Sequence, residues 1–321
     1  MKFYFAPLEG ITGYIYRNAF QDFFGGEVDR YFTPFIATAH EGTVKNRSLR
    51  DIFPANNKGI SLVPQILGNN AQDFISLSKQ IRELGYGEVN LNLGCPYGTV
   101  VSKGKGAGFL ARKEELKAFL SEIYSAGITE ISIKTRIGKD SPEEFEELLE
   151  LYNQYPVKEL IIHPRIQLDF YKNKPNMEVF EKALLKSKNP LCYNGDIFTV
   201  ADYNNFHEKY SQVDKLMIGR GLLVNPALLR EIKGGNAIER KELKDFHDRL
   251  YADYGKVMSG DKNTLFKMKE LWNYFRYLFP EGDKQLKKIQ KAQRSADYEA
   301  AVRELFAACE IKKNAGFPAS F

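Results

Sequence analysis

Eight short β-rich runs recur through the first 220 residues of this 321-residue chain, most of them separated by roughly 25 to 40 residues. They read KFYFA (2–6), RYFTPFI (30–36), SLVPQIL (61–67) and EVNLNLG (88–94), then EISIKTR (130–136), KELIIHP (158–164), NPLCYNG (189–195) and VDKLMIG (213–219). Helical patterns fill many of the gaps. Residues 71–85 carry apolar positions at i, i+3 and i+4 and stop at Gly85, and residues 141–155 stop before Pro156. Eight strands alternating with helices over this length fit a (β/α)8 TIM barrel better than an open doubly wound sheet.

The pattern changes after VDKLMIGRG. Residues 230–242 contain Gly234, Gly235 and Asn236 and read as a linker, and from there to the C-terminus the pattern is helical throughout. Phe246, Leu250, Tyr254 and Val257 form one apolar stripe; Leu265, Met268, Leu271, Trp272, Phe275 and Phe279 form a second. The expected organisation is a barrel catalytic domain over 1–235 and an all-helical domain over 236–321.

Charge separates the same two parts. Before residue 240 there are 29 basic and 29 acidic side chains, whereas the remainder has 17 and 12, so the whole net charge of +5 lies in the last quarter. Lys284, Lys287, Lys288 and Lys291 fall on one helical face, either as a solvated surface or as a stripe that tracks a phosphate backbone. With 43% hydrophobic and 27% charged residues the composition is that of a folded globular protein. No run reaches the 18 or so apolar residues of a membrane span, and the apolar start MKFYFAPLEG is too brief for a signal-peptide core, so a cytoplasmic protein is expected. Cys95, Cys192 and Cys309 are far apart and form no metal-ligand spacing with the four histidines, which argues against a disulfide framework or a metal site.

In such a barrel the chemistry belongs at the C-terminal ends of the strands. Those ends here are Gln65, Asn92 to Pro96, Lys134 with Arg136, His163-Pro-Arg165, Asn194-Gly-Asp196 and Gly219-Arg220-Gly221. The last two suit a phosphate held on backbone N–H groups, and their convergence with the other four implies a phosphate-bearing cofactor. Cys95 lies in a loop just past a strand end, unlike Cys192 and Cys309, which read as inert core thiols. A free small molecule remains open as substrate on the barrel residues alone, as does a non-catalytic RNA-binding barrel. The basic helical extension argues against the first, and a retained Cys95 and Lys134 against the second.

In this order, Ala6-Pro-Leu-Glu-Gly10, Gln65-Ile-Leu-Gly68, Asn92-Leu-Gly-Cys-Pro96 and the Gly-rich Lys103–Leu110 resemble the tRNA-dihydrouridine synthases. Lys134-Thr-Arg136, His163-Pro-Arg165, Asn194-Gly-Asp196 and Gly219-Arg220 extend the resemblance over residues 6–221, and the helical end matches the family's architecture. Leu8 departs from the usual Met, a near-isosteric change. Pro164 stands where Gly commonly separates the His from the Arg.

The resemblance implies FMN as cofactor, NADPH as reductant, tRNA as partner with no obligate protein partner, and reduction of uridine to 5,6-dihydrouridine. It implies that Cys95 gives a proton to carbon 5 after a hydride reaches carbon 6. Pro7, Leu8, Glu9, Gln65, Lys134 and His163 would line the flavin; Asn194, Gly195, Asp196, Gly219 and Arg220 would hold its ribityl phosphate. Asn92, Arg136, Arg165 and Tyr171 would meet the target uracil.

Overall fold

The computed structural model describes residues 1–38, 49–313 and 315–316. Ten parallel strand segments run in chain order: β1 (Lys2–Phe5), β2 (Arg30–Phe32), β3 (Ile36–Ala37), β4 (Leu62–Val63), β5 (Gln65–Leu67), β6 (Glu88–Leu93), β7 (Glu130–Arg136), β8 (Leu160–His163), β9 (Leu191–Asn194) and β10 (Lys215–Ile218). They make eight staves, because two of the runs read as single strands are each broken in the middle. Pro64 lacks an N–H and separates β4 from β5, and Pro34 lies between β2 and β3. Both breaks lie at one level, since β2 pairs with β4 and β3 with β5. Thr33 spans the gap: its N–H donates to Val63 O (3.1 Å) and its hydroxyl accepts from Gln65 N–H (2.9 Å). Pairing of β1 with β10 closes the ring.

Alternation along each strand sorts the side chains. Phe3, Phe5, Val89, Leu91, Ile131, Ile133, Leu160 and Ile162 join the large core shared with the surrounding helices, whereas Tyr4, Phe32, Val63, Ile161, Cys192 and Met217 form a separate apolar cluster. That second cluster has the parity of the barrel interior. Lys134, Arg136, His163 and Asn194 share its parity and lie nearer the C-terminal ends of their strands. At the opposite end Arg30 pairs with Glu88 (2.9 Å), and Glu159 accepts from the Tyr4 hydroxyl (3.2 Å).

The helices are α1 (Tyr14–Phe24), α2 (Ala71–Glu83), α3 (Gly98–Val101), α4 (Lys113–Ser125), α5 (Glu144–Tyr152), α6 (Met177–Lys186), α7 (Val200–Lys209), α8 (Arg220–Val224) and α9 (Leu228–Ile232). Four more follow: α10 (Arg240–Val257), α11 (Asp261–Phe275), α12 (Asp283–Lys291) and α13 (Ser295–Ala308). The segment read as a linker is shorter than 230–242, because α9 continues to Ile232 and α10 starts at Arg240. Phe246 of α10 docks on α1, with its ring centroid 5.7 Å from Tyr16 and 5.2 Å from Phe24. The first stripe ends at Tyr254, since Val257 is 42% exposed; all six residues of the second are buried. Trp272 and His247 both bond the buried Tyr298 hydroxyl, at 2.9 and 2.7 Å. The four lysines of α12 are exposed while Leu286 and Ile289 face inward, and Lys288 pairs with Glu304 (2.6 Å).

Candidate functional site

Two adjoining cavities open where the strands end. The larger spans about 690 Å³ including its open mouth, and Gln65, Asn92, Cys95, Lys134, Arg136 and His163 contribute to its wall. Glu9 and Tyr171 also line it. The smaller, about 460 Å³, is formed by Asn194, Gly195, Asp196, Gly219 and Arg220. Pro7, Leu8, Lys134, His163 and Tyr171 belong to both, so the two spaces are continuous along β1, β7 and β8. Of the residues expected from the sequence, Arg165 alone lines neither.

Cys95 is held from two sides. Asn92 Oδ1 accepts from the N–H groups of Gly94 (3.0 Å) and Cys95 (2.9 Å), and Cys95 O accepts from Ala107 N–H (3.0 Å). The Gly-rich run packs directly beneath. A Cβ on Gly106, whose φ is +56°, would lie 2.8 Å from Cys95 O, which explains the glycine. Burial pushes the Cys95 thiol up, so it stays protonated at neutral pH. Cys192 and Cys309 are buried and line neither cavity.

Arg136, although it borders the larger cavity, is a brace between loops. Its Nε donates to Gly94 O (3.0 Å), and Nη1 and Nη2 donate to Ile166 O and Phe170 O (2.7 Å each). Phe170 is the one described non-glycine residue at positive φ (+49°), and the bond to its carbonyl fixes that unfavourable turn. Arg165 is likewise engaged within the protein. It pairs with the Asp196 carboxylate, donates to Asn173 O (2.5 Å) and lies 3.0 Å from His163 Nε2. Pro164 makes that last contact, because Arg165 N–H bonds His163 O (2.7 Å) across a three-residue turn that brings the flanking side chains together.

Asp196 also accepts from Arg220 Nη2 (2.8 Å). Its carboxylate therefore serves the two guanidiniums, and what residues 194–196 offer an anion is main chain. Gly221 has no room for a side chain, since a Cβ would meet Ile197 O at 2.2 Å; the β9 and β10 loops are that close. The Arg220 guanidinium lies 4.3 Å from the Tyr171 ring centroid, with Arg136 at 5.5 Å. Burial first, then Arg136 and Lys134, pushes the His163 imidazole well below its usual range, so it is neutral. Burial and Arg136 lower the Lys134 amine to about 8. Among the described residues no acceptor lies within hydrogen-bonding distance of that amine. It is an unmatched cation in the wall common to both cavities, the feature that best fits an electron-rich ligand held there.

Tyr274, Tyr97 and Phe35 also line the larger cavity and were not expected from the sequence. Tyr274 comes from α11, where it lies off the buried stripe. Lys267, two turns earlier, reaches Gly10 O in the loop after β1. Burial and the neighbouring Tyr171 and Tyr97 push the Tyr274 phenol up to about 12. An aromatic off the apolar face of α11 was the available signal. Among the described residues no group of three or more His, Cys, Asp or Glu could hold a metal, and no helix is long and apolar enough to cross a membrane.

A cationic double cavity and a protonated thiol at the C-terminal mouth of a (β/α)8 barrel lie where such barrels carry their active sites, and define a barrel enzyme. The dihydrouridine synthase family model matches residues 4–314, and the chain belongs to that family. It is 27% identical over 98% of its length to a Staphylococcus epidermidis protein named "Probable tRNA-dihydrouridine synthase", covering 95% of that protein. It is 30% identical to the Bacillus subtilis protein named "Probable tRNA-dihydrouridine synthase 2", covering 79% of each chain. In fold it resembles a 2-naphthoyl-CoA reductase at 12% identity, with a TM-score of 0.54 over 73% of this chain and 50% of that one.

Proposed function

We propose that this protein reduces uridines of tRNA to 5,6-dihydrouridine with FMN and NADPH. The observation that carries this is one cleft lined by the protonated Cys95 thiol and the unmatched Lys134 amine, continuous with a cationic, glycine-bordered cavity. The larger cavity would take the flavin ring and the target uracil, and the smaller the ribityl phosphate, with Arg220 as charge partner. When bound, FMN reduced by NADPH supplies a hydride for carbon 6 of the uracil.

Cys95 holds the proton that carbon 5 then needs. Its buried thiol has not ionised before the reaction, as a general acid requires. Lys134 stabilises negative charge on the pyrimidine edge of the flavin, and Gln65 donates to the same ring. Asn92 retains an amide N–H for a uracil carbonyl, and Tyr171 offers its phenol; Arg136 and Arg165 act on the uracil through the loops they brace. Since a stacked uracil must leave the RNA fold to reach this cleft, the basic helical part grips the backbone while Tyr97 and Tyr274 flank the extruded base.

The test is nucleoside mass spectrometry of unmodified tRNA incubated with protein, FMN and NADPH, beside Cys95→Ala. Dihydrouridine from the wild type and a sharp fall in the variant is the expected result. A yellow protein that oxidises NADPH yet makes no dihydrouridine would refute the RNA reading and favour a free small molecule.

A further inference from the structure

Four polar side chains form a line through the barrel interior, where branched aliphatic residues ordinarily dominate. Ser132 on β7, Asn90 and Asn92 on β6 and Gln65 at the start of β5 are all buried. Asn90 Nδ2 donates to Ser132 Oγ (2.9 Å), Gln65 Nε2 to Asn90 Oδ1 (2.8 Å) and Asn92 Nδ2 to Gln65 Oε1 (2.7 Å). The line ends at Asn92 Oδ1, which accepts from the Gly94 and Cys95 N–H groups.

Its direction is set by that end. Two main-chain N–H groups can only donate, so Asn92 must present oxygen to them and nitrogen to Gln65. Gln65 is thereby oriented with its oxygen to Asn92 and its nitrogen to Asn90, and Asn90 in turn needs an acceptor, which Ser132 provides. Were any amide reversed, two donors or two acceptors would face each other in a buried space. Asn90 and Ser132 line neither cavity, yet Asn90 gives the Gln65 amide its acceptor and Ser132 gives Asn90 its own, so the cavity amides and the Cys95 loop rest on them from beneath.

We infer that Asn90 and Ser132 are positioning residues that hold the Cys95 thiol and the Gln65 and Asn92 amides in working orientation from beneath the cleft. Ser132→Ala removes the acceptor of Asn90 Nδ2, leaves that buried N–H unsatisfied, and loosens the chain of bonds that leads to the Cys95 loop. Water then reaches the thiol, its pKa falls toward the ordinary cysteine value, and it is modified faster.

The primary readout is the rate of Cys95 alkylation by iodoacetamide across pH 7 to 10, monitored on the Cys95 peptide by mass spectrometry. It needs neither tRNA nor reductant. It therefore stands even if the proposed reaction fails, and only the kinetic arm rests on that reading. Ser132→Ala should raise the alkylation rate at pH 7.5 at least severalfold and lower kcat for dihydrouridine formation by about tenfold or more, with KM for tRNA nearly unchanged. Ser132→Thr keeps the acceptor oxygen and should behave as wild type. The inference is overturned if Ser132→Ala stays within twofold of wild type in both alkylation and kcat, or if Ser132→Thr changes as much as Ser132→Ala. Asn90→Leu, which removes both bonds of the central amide, should exceed Ser132→Ala in both measurements; a smaller effect also counts against it.

Discussion

Replacing Lys134 with Met should stabilise the cofactor-free protein while disabling it. The amine falls from 10.5 to about 8 because burial and Arg136 disfavour its charge. That drop corresponds to roughly 3 kcal/mol of native-state penalty, an upper figure because the side chain is only half-buried. At pH 7 the amine is charged both folded and unfolded, so the whole penalty is present. As pH rises through 8 the folded amine loses its proton first, the unfolded chain holds more protons, and wild-type stability climbs until about pH 10.5. Urea unfolding of the two proteins without cofactor at pH 7 and at pH 10 reads this directly. Lys134→Met should be the more stable at pH 7 by up to about 3 kcal/mol, with most of the gap gone at pH 10. A destabilised variant, or a gap independent of pH, would refute the account of Lys134 as an unmatched cation. The same variant should retain far less FMN after dialysis, since the penalty exists where a ligand would remove it.

Three further outcomes are expected. Arg136→Lys keeps the charge but loses the fork that reaches three carbonyls, and should cost about 3 kcal/mol in denaturant unfolding. Tyr298→Phe strands the Trp272 N–H and the His247 imidazole in the helical core and should cost about 2 kcal/mol, seen as a lowered Tm. His163 and His247 both titrate below the usual histidine range because of burial, so the unfolded chain takes up their protons first. Stability should therefore fall as pH drops below about 6.5, and His247→Gln should reduce the slope of unfolding free energy between pH 6.5 and 5 by up to one proton.

The barrel was legible because its strands and helices have distinct periods, and the candidate site because polar residues at the C-terminal strand ends stand out after apolar runs. KTR and HPR, however, look alike in sequence as pairs of polar residues at strand ends. In the structure the Lys134 amine is left to the cavity, whereas Arg136 at its edge is bonded to the carbonyls of residues 94, 166 and 170, and Arg165 to Asn173 and Asp196, distinctions set by loops distant in the chain. The carboxylate of Asp196 is another case. Its neighbours Asn194 and Gly195 suggest an anion cradle, but its partners Arg165 and Arg220 lie 31 and 24 residues away in the chain. Breaks at Pro34 and Pro64 were visible as prolines, yet that they fall at one level is a matter of register between strands. Tyr274 was hidden by the strength of the stripe beside it.

Because α11 delivers Tyr274 into the cleft and ties Lys267 to Gly10 O, the barrel and the helical end share one working surface. On the proposed function, exchanging helical ends between relatives would therefore replace part of the cleft along with the surface proposed to hold the RNA. Productive chimaeras should be those in which the loop of residues 8–12 travels with α11, and in natural sequences these two segments should vary together.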